Sequence, residues 1–288
     1  MDETHCFEIK NLQLSELIKD RSNFDCLKNL LKNRPSGASG IISKLESPEN
    51  PGQFLCFKSI KQFSGSDDFK AKSQIDFFRE IDITHRARHP CTVELINFDF
   101  TPKFKRPAII TKFYEHGSLH NCYESRSDPY LKWGIKTGLN GTIYTIILYG
   151  IARGVRYLHA LKILHRDLKP QNIFIDQFYR PHIGDFGLSK VTYDYQENSG
   201  VVGSCFFMAP EIKKKDGKIL FSYPADVFAL GIIFYTIVVG KNFKPKLDMA
   251  KINKYSTELG QFKEARRQII ELFKNKKTPE FEGGSNIK

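Results

Sequence analysis

The chain's densest chemistry lies in one stretch, His165-Arg166-Asp167-Leu168-Lys169-Pro170-Gln171-Asn172, followed after a short apolar run by Asp185-Phe186-Gly187. Two carboxylates (Asp167 and Asp185) and one amide (Asn172) fall close together, interleaved with Arg166 and Lys169. Between them, Ile173-Phe174-Ile175 and Arg180-Pro181-His182-Ile183 read as two short strands joined by a turn around Asp176 and Gln177. Such a hairpin brings the two ends of the stretch side by side. Hard oxygen ligands gathered that way suit Mg²⁺, which is usually held by one or two carboxylates together with substrate phosphates. A carboxylate kept off the metal can then accept a hydroxyl proton.

The elements that must position these groups are the hairpin and the segment leading into it. Residues 143–161 carry Ile147, Ile151, Val155 and Leu158 at helical spacing and close on Tyr157-Leu158-His159. His159 is expected to be a hydrogen-bonded structural group on that helix. Further upstream, Leu55-Cys56-Phe57-Lys58 is an apolar run ending in lysine, and Phe77-Phe78-Arg79-Glu80-Ile81 offers it a carboxylate partner. Pro35-Ser36-Gly37-Ala38-Ser39-Gly40 is a Gly/Ser turn whose glycines let backbone N–H groups approach a phosphate closely. Residues 93–100 and 108–113 read as two more strands around a basic, proline-containing turn.

In this order and spacing the segments resemble the protein kinase superfamily, of the Ser/Thr type and leaning toward the tyrosine-kinase-like group. The catalytic-loop pattern, Asp-Phe-Gly, and Gly203-Ser204-Cys205-Phe206-Phe207-Met208-Ala209-Pro210-Glu211 carry the likeness. It implies an α+β, two-lobed kinase fold: a small antiparallel β-sheet lobe with one main helix, and a larger, mainly helical lobe. The corresponding layout is an N-terminal extension at 1–29, a small lobe at 30–110, a hinge at 111–117 and a large lobe at 118–288.

The resemblance also implies roles. Asp167 accepts the substrate hydroxyl proton, Lys169 neutralises the transferring phosphoryl group, and Asn172 and Asp185 hold Mg²⁺. Lys58 and Glu80 form the ion pair that positions the α- and β-phosphates. Gly37, Gly40, Ile42, Cys56, Thr111 as gatekeeper and Phe174 surround ATP, with the backbone of Lys112 and Tyr114 bonding adenine. Asp226, in Tyr223-Pro224-Ala225-Asp226, is expected to bond back to the backbone around His165 and Arg166. Arg166 points to control by an activation-loop phosphate, with Ser199 and then Thr192 as candidate phosphosites and an upstream kinase as a partner. The implied activity is transfer of the ATP γ-phosphoryl group to protein Ser/Thr hydroxyls; the alternative is a catalytically impaired, kinase-shaped binding module or truncated remnant.

Departures from the family pattern support that alternative. Pro35 replaces the first glycine and Ser39 the loop-tip aromatic. Thr84, one turn beyond Glu80, is polar where an apolar residue is usual and is expected to loosen the active arrangement. Beyond Gly240 the pattern thins and the final helices are expected to be missing. No clear arginine partner for Glu211 is found, since Arg266 and Arg267 fall too early in the order.

Composition narrows the classes. The net charge of +12 fits acidic substrates, nucleic acid or an anionic surface, and equally an ordinary lysine-rich exterior. No motif of stacking aromatics on a basic strand accompanies it, so nucleic acid is not an expected partner. No apolar run reaches the roughly 18 residues of a membrane span, and residues 227–239 read as a buried helix. Six scattered cysteines and the lack of an apolar signal region suggest a cytoplasmic protein with reduced thiols.

Overall fold

The computed structural model describes residues 41–47, 50–59, 67–99, 107–124, 139–191, 206–212, 214–215, 218–219, 221–239, 248–254, 256, 264, 266–268 and 270–271. The chain divides into two compact units. One holds the chain to Arg88 together with Val93–Phe113, the other His89–Thr92 and the chain from Tyr114 onward.

The first unit is a four-stranded antiparallel sheet with one main helix. Strands β1 (Ile41–Glu46), β2 (Phe54–Ser59), β3 (Leu95–Asp99) and β4 (Ala108–Lys112) stand in the order β1-β2-β4-β3. Burial alternates along β1 and β2 with the strand period of two, while in β4 Ala108, Ile109 and Ile110 are all buried. Leu45, Leu55, Phe57, Ala108 and Ile110 form the core of one face. On the opposite face Ile42 pairs with Lys58, Lys44 with Cys56, Cys56 with Thr111 and Lys58 with Ile109. Helix α1 (Asp67–Arg86) covers part of that second face, seating Phe77 and Ile81 on Ile109.

The second unit contains α2 (Leu119–Glu124), α3 (Leu139–Ala160), β5 (Ile163–Leu164), β6 (Ile173–Ile175), β7 (Pro181–Ile183), β8 (Lys190–Val191), β9 (Lys214–Lys215), β10 (Lys218–Ile219), α4 (Tyr223–Val239) and α5 (Met249–Ile252). Helix α3 buries Ile143, Ile147, Ile151, Val155 and Leu158, the stripe that its spacing predicts. It lies tight on β7. A Cβ on Gly150 would come within 2.5 Å of the Pro181 ring, and one on Gly154 within 2.7 Å of Ile183 and 2.9 Å of the Cys91 carbonyl oxygen.

Helix α4 departs from the expectation of full burial: Ile232, Ile233, Thr236 and Ile237 are buried, but Val227 is 54% and Val238 41% exposed. An apolar run cannot by itself tell which side of a helix neighbours will cover. No helix among the described residues is long and apolar enough to cross a membrane.

Candidate active site

In the first unit, β2 and α1 present two opposite charges to each other. Lys58 Nζ donates to Glu80 Oε1 at 2.6 Å, with both side chains largely covered. Thr84 is buried, and its hydroxyl donates to the Glu80 carbonyl at 2.6 Å. The helix backbone four residues back satisfies its polarity.

The register places Ile42, Cys56, Lys58 and Thr111 on one face of the sheet, with Ile42 66% exposed. Burial pushes the Cys56 thiol up from its ordinary value, against a smaller lowering by the Thr111 hydrogen bond and Lys58. Lys112 donates its N–H to the Glu94 carbonyl at 3.0 Å. Its amide is therefore already committed within the sheet. Gly37, Gly40, Ser199 and Thr192 lie outside the described residues.

In the second unit the loop from His165 to Asn172 is fixed by buried hydrogen bonds. Asp226, on the first turn of α4, accepts the His165 amide on Oδ2 and the Arg166 amide on Oδ1, both at 2.9 Å. The same Oδ2 lies 2.9 Å from His159 Nε2. A carboxylate in an apolar helix requires such partners. These bonds hold Arg166 in the left-handed region at φ 69°, a conformation that L side chains adopt only where their surroundings enforce it. The Arg166 guanidinium lies 4.3 Å from the centre of the Phe221 ring.

Asp167 sits at the centre of this loop, buried. Its Oδ2 accepts Lys169 Nζ at 2.6 Å and Asn172 Nδ2 at 3.2 Å. Asn172 Nδ2 also donates to the Asp167 carbonyl at 2.8 Å. With the amide nitrogen committed, Asn172 turns Oδ1 the other way as an acceptor, which suits a hard cation. The turn Pro170–Asn172 begins with proline and leads straight into β6.

Strands β6 and β7 pair with Ile173 opposite Ile183, and the Gly184 amide donates to the Asn172 carbonyl at 2.9 Å. This brings Asp185 beside Asn172. Asp185 takes a left-handed backbone at φ 60°, ψ 66°, a second strained non-glycine residue in the same site. The two oxygen donors therefore fit a divalent cation shared with phosphate oxygens.

Two contributors escaped sequence reasoning. His165 is fully buried; its Nδ1 accepts the Asp167 amide at 3.3 Å and its Nε2 donates to the Gly184 carbonyl at 3.0 Å. One imidazole thus joins the loop carrying Asp167 to the residue before Asp185. Its place at the head of the motif was visible, but not its bonding. His182 sits opposite Phe174 on the β6–β7 pair, against the Tyr114 ring at 4.3 Å. Tyr114 also stacks on Phe174 at 6.1 Å.

Burial holds His182 below its ordinary value, with Asp176 pulling the other way. Burial would raise the Asp176 carboxyl, but hydrogen bonds from the Arg180 amide, the His182 and Arg180 side chains and the Phe178 amide outweigh it and hold the group low. The strict alternation of Pro181, His182 and Ile183 was the available signal that His182 lies on the strand face opposite those two buried residues.

Arg266 bears on the segment that carries Glu211. Arg266 does reach this segment: it is buried and donates to the carbonyls of Met208 at 2.7 Å, of Ala209, and of Ile212 at 3.3 Å. Glu211 itself is exposed, so no buried carboxylate is left to be compensated. Arg266 ties down the backbone of Met208-Ala209-Pro210, and position in the chain was a poor guide to that reach.

Residues 36–283 match the protein kinase domain family. The chain is similar to cysteine-rich receptor-like protein kinase 28 of Arabidopsis thaliana, at 29% identity over 232 residues, 76% of this chain and 31% of that protein. It is 28% identical over 249 residues to phytosulfokine receptor 1 of the same plant, covering 84% of this chain and 22% of the receptor. A probable serine/threonine-protein kinase of Dictyostelium discoideum matches at 30% over 183 residues, 64% of this chain and 18% of that protein. The chain thus spans less than a third of the length of these relatives. With that match running through every element that carries the site, the chain belongs to the protein kinase family.

Proposed function

We propose that this protein is a Ser/Thr protein kinase that uses Mg²⁺ and transfers the ATP γ-phosphoryl group to protein hydroxyls in the cytoplasm. The observation that carries the reading is the arrangement about Asp167, whose carboxylate is oriented by Lys169 and Asn172 on a loop fixed by Asp226. In this reading residues 30–110 act as the small lobe, 111–117 as the hinge and 118–288 as the large lobe, preceded by an extension at 1–29.

Bound Mg²⁺ supplies charge neutralisation of the phosphate oxygens, and Asn172 and Asp185 are the residues that hold it. Asp167 orients the incoming Ser or Thr hydroxyl and accepts its proton as the oxygen attacks. Lys169, two residues on, brings positive charge to the phosphoryl group being transferred; its position supports Ser/Thr over Tyr specificity. Lys58, held by Glu80, fixes the α- and β-phosphates. In this reading Ile42, Cys56, Thr111 and Phe174, with the backbone of Lys112 and Tyr114, are the groups that serve ATP binding. Most of the rate enhancement in such a site comes from positioning and fixed charge.

The test is Mg·ATP-dependent labelling of a generic protein substrate by the wild type, Asp167→Asn and Lys58→Met, with ATP binding followed by melting temperature. Phosphate on Ser or Thr in the wild type alone, with Asp167→Asn still stabilised by Mg·ATP, is expected. Full activity in Asp167→Asn would sink the assignment, and full activity in Lys58→Met would remove that residue from it. A wild type that binds Mg·ATP without transfer would instead favour the binding-module reading.

A further inference from the structure

Helix α3 turns one stripe of its surface to solvent. Tyr149, Arg153 and Arg156 follow one another there at helical spacing, all exposed, with Tyr149 65% open. The Arg153 guanidinium lies over the Tyr149 ring, 5.9 Å from its centre. The turn between β6 and β7 repeats the pair: Arg180 lies 4.8 Å from the centre of the Phe178 ring, which is 60% exposed. Exposed rings scattered singly are ordinary, whereas rings grouped within a polar rim mark a contact surface.

The packing of α3 on β7 brings the two pairs together. Gly150 follows Tyr149 and Pro181 follows Arg180, and a Cβ on Gly150 would meet the Pro181 ring at 2.5 Å. The Cys91 sulfur lies at the same spot, 3.5 Å from that Cβ position. Burial raises the Cys91 thiol, while the charges of Arg153 and Arg180 both pull it back, so both guanidiniums share this neighbourhood. The turn stands at the end of the β6–β7 hairpin away from Asn172 and Asp185. A molecule held here need not reach the proposed cation site.

The charges set the class of partner. Arg180 meets Asp176 through its Nε, while Arg153 and Arg156 have no carboxylate paired with them among the described residues. Their forked N–H groups suit the paired oxygens of Asp and Glu, and the exposed rings suit apolar side chains. A nucleic-acid base would have to displace the arginine that lies over each ring, and a few arginines make a short track for a phosphate backbone.

We propose that Tyr149, Arg153 and Arg156 of α3, with Phe178 and Arg180 of the adjoining turn, form a docking site for a linear segment of a partner protein that carries Asp or Glu beside apolar residues. The site does not depend on the phosphoryl-transfer reading.

The experiment uses fluorescent peptides free of Ser, Thr and Tyr, so that no hydroxyl is offered to Asp167. One alternates glutamate with leucine, a second has glutamine for glutamate, and a third has glycine for leucine. Binding is read by anisotropy at low and raised salt on the wild type, on an Arg153→Glu, Arg156→Glu double variant and on Phe178→Ser. An exposed ion pair is worth roughly a factor of two to three, so the wild type is expected to favour the glutamate–leucine peptide over its glutamine counterpart by about tenfold. That preference should shrink with salt and vanish in the double variant. Phe178→Ser should weaken binding of the glutamate–leucine peptide several-fold while the preference for glutamate remains. Melting temperatures check that each variant is folded, and Tyr149→Ser takes the place of Phe178→Ser if that protein melts early.

Equal or absent binding of the glutamate and glutamine peptides by the wild type overturns the proposal, as does a preference that survives in the double variant. So does a glycine peptide that binds as tightly as the leucine one, since the rings would then be idle. A single-stranded oligonucleotide that binds more tightly than the glutamate–leucine peptide, through the same arginines, overturns it as well.

Discussion

Replacing Asp226 by alanine is the sharpest perturbation of this site that leaves every proposed reacting group in the sequence. The carboxylate accepts two backbone amides, those of His165 and Arg166, at 2.9 Å, and neither amide has water beside it because both residues are buried. Each buried amide left without an acceptor costs about 1–3 kcal/mol, so the pair costs roughly 2–6 kcal/mol. His159 adds less, since its half-buried ring can turn toward water. Against a total stability of about 5–15 kcal/mol this is a large fraction.

At about 2–4 °C per kcal/mol for a chain approaching this size, the melting temperature should fall by roughly 4–24 °C. The lost bonds also free Arg166 to leave φ 69°, which relieves strain of about 1–3 kcal/mol and lets Asp167 drift. Phosphoryl transfer should therefore fall through kcat, with KM for ATP nearly unchanged, because Asp226 touches none of the residues assigned to the nucleotide. Asp226→Asn keeps one acceptor oxygen and should fall between. Thermal melts of the three proteins and steady-state kinetics test this. A melting temperature within about 2 °C of wild type for Asp226→Ala, together with unchanged kcat, would refute the argument that these two bonds hold the loop.

Two other predictions follow from the packing. Gly154→Ala should destabilise by about 0.5–2 kcal/mol, because overpacking against Ile183 and the Cys91 carbonyl exceeds the gain in helix propensity. Gly141→Ala, in the same helix with nothing within 4 Å, should instead stabilise by about 0.5–1 kcal/mol, as denaturant titration would show. Burial holds the folded His182 below 6.5, so the native state binds fewer protons than the unfolded chain between the two values. Its contribution to stability is complete above pH about 6.5 and is lost as pH falls below that. His182→Gln should flatten this part of the melting profile relative to wild type; an identical slope would show that His182 does not carry it.

The sequence by itself was enough to single out the residues of the candidate site. Asp167, Lys169, Asn172 and Asp185 stand at spacings that a short hairpin must bring together, and alternating burial along β6 and β7 leaves that hairpin little choice of register. The apolar stripe of α3 was legible for the same reason: a period of 3.6 is a local property. That Asp226, a carboxylate opening an apolar helix, must find donors was legible from its type, while its partners His165 and Arg166 were implied by the kinase resemblance.

Only the tertiary structure decided which partners distant groups found. The Thr84 hydroxyl found its acceptor in the Glu80 carbonyl. Arg266 was set aside on sequence order, yet it reaches the carbonyls of Met208 and Ile212. The sides of α4 left open at Val227 and Val238, and the joining of Asp167 to Gly184 through His165, likewise depend on what folds against them. Residue type fixes what a group needs, such as a donor, an acceptor or a dry contact, while the group that meets the need is set by long-range packing that no local pattern encodes.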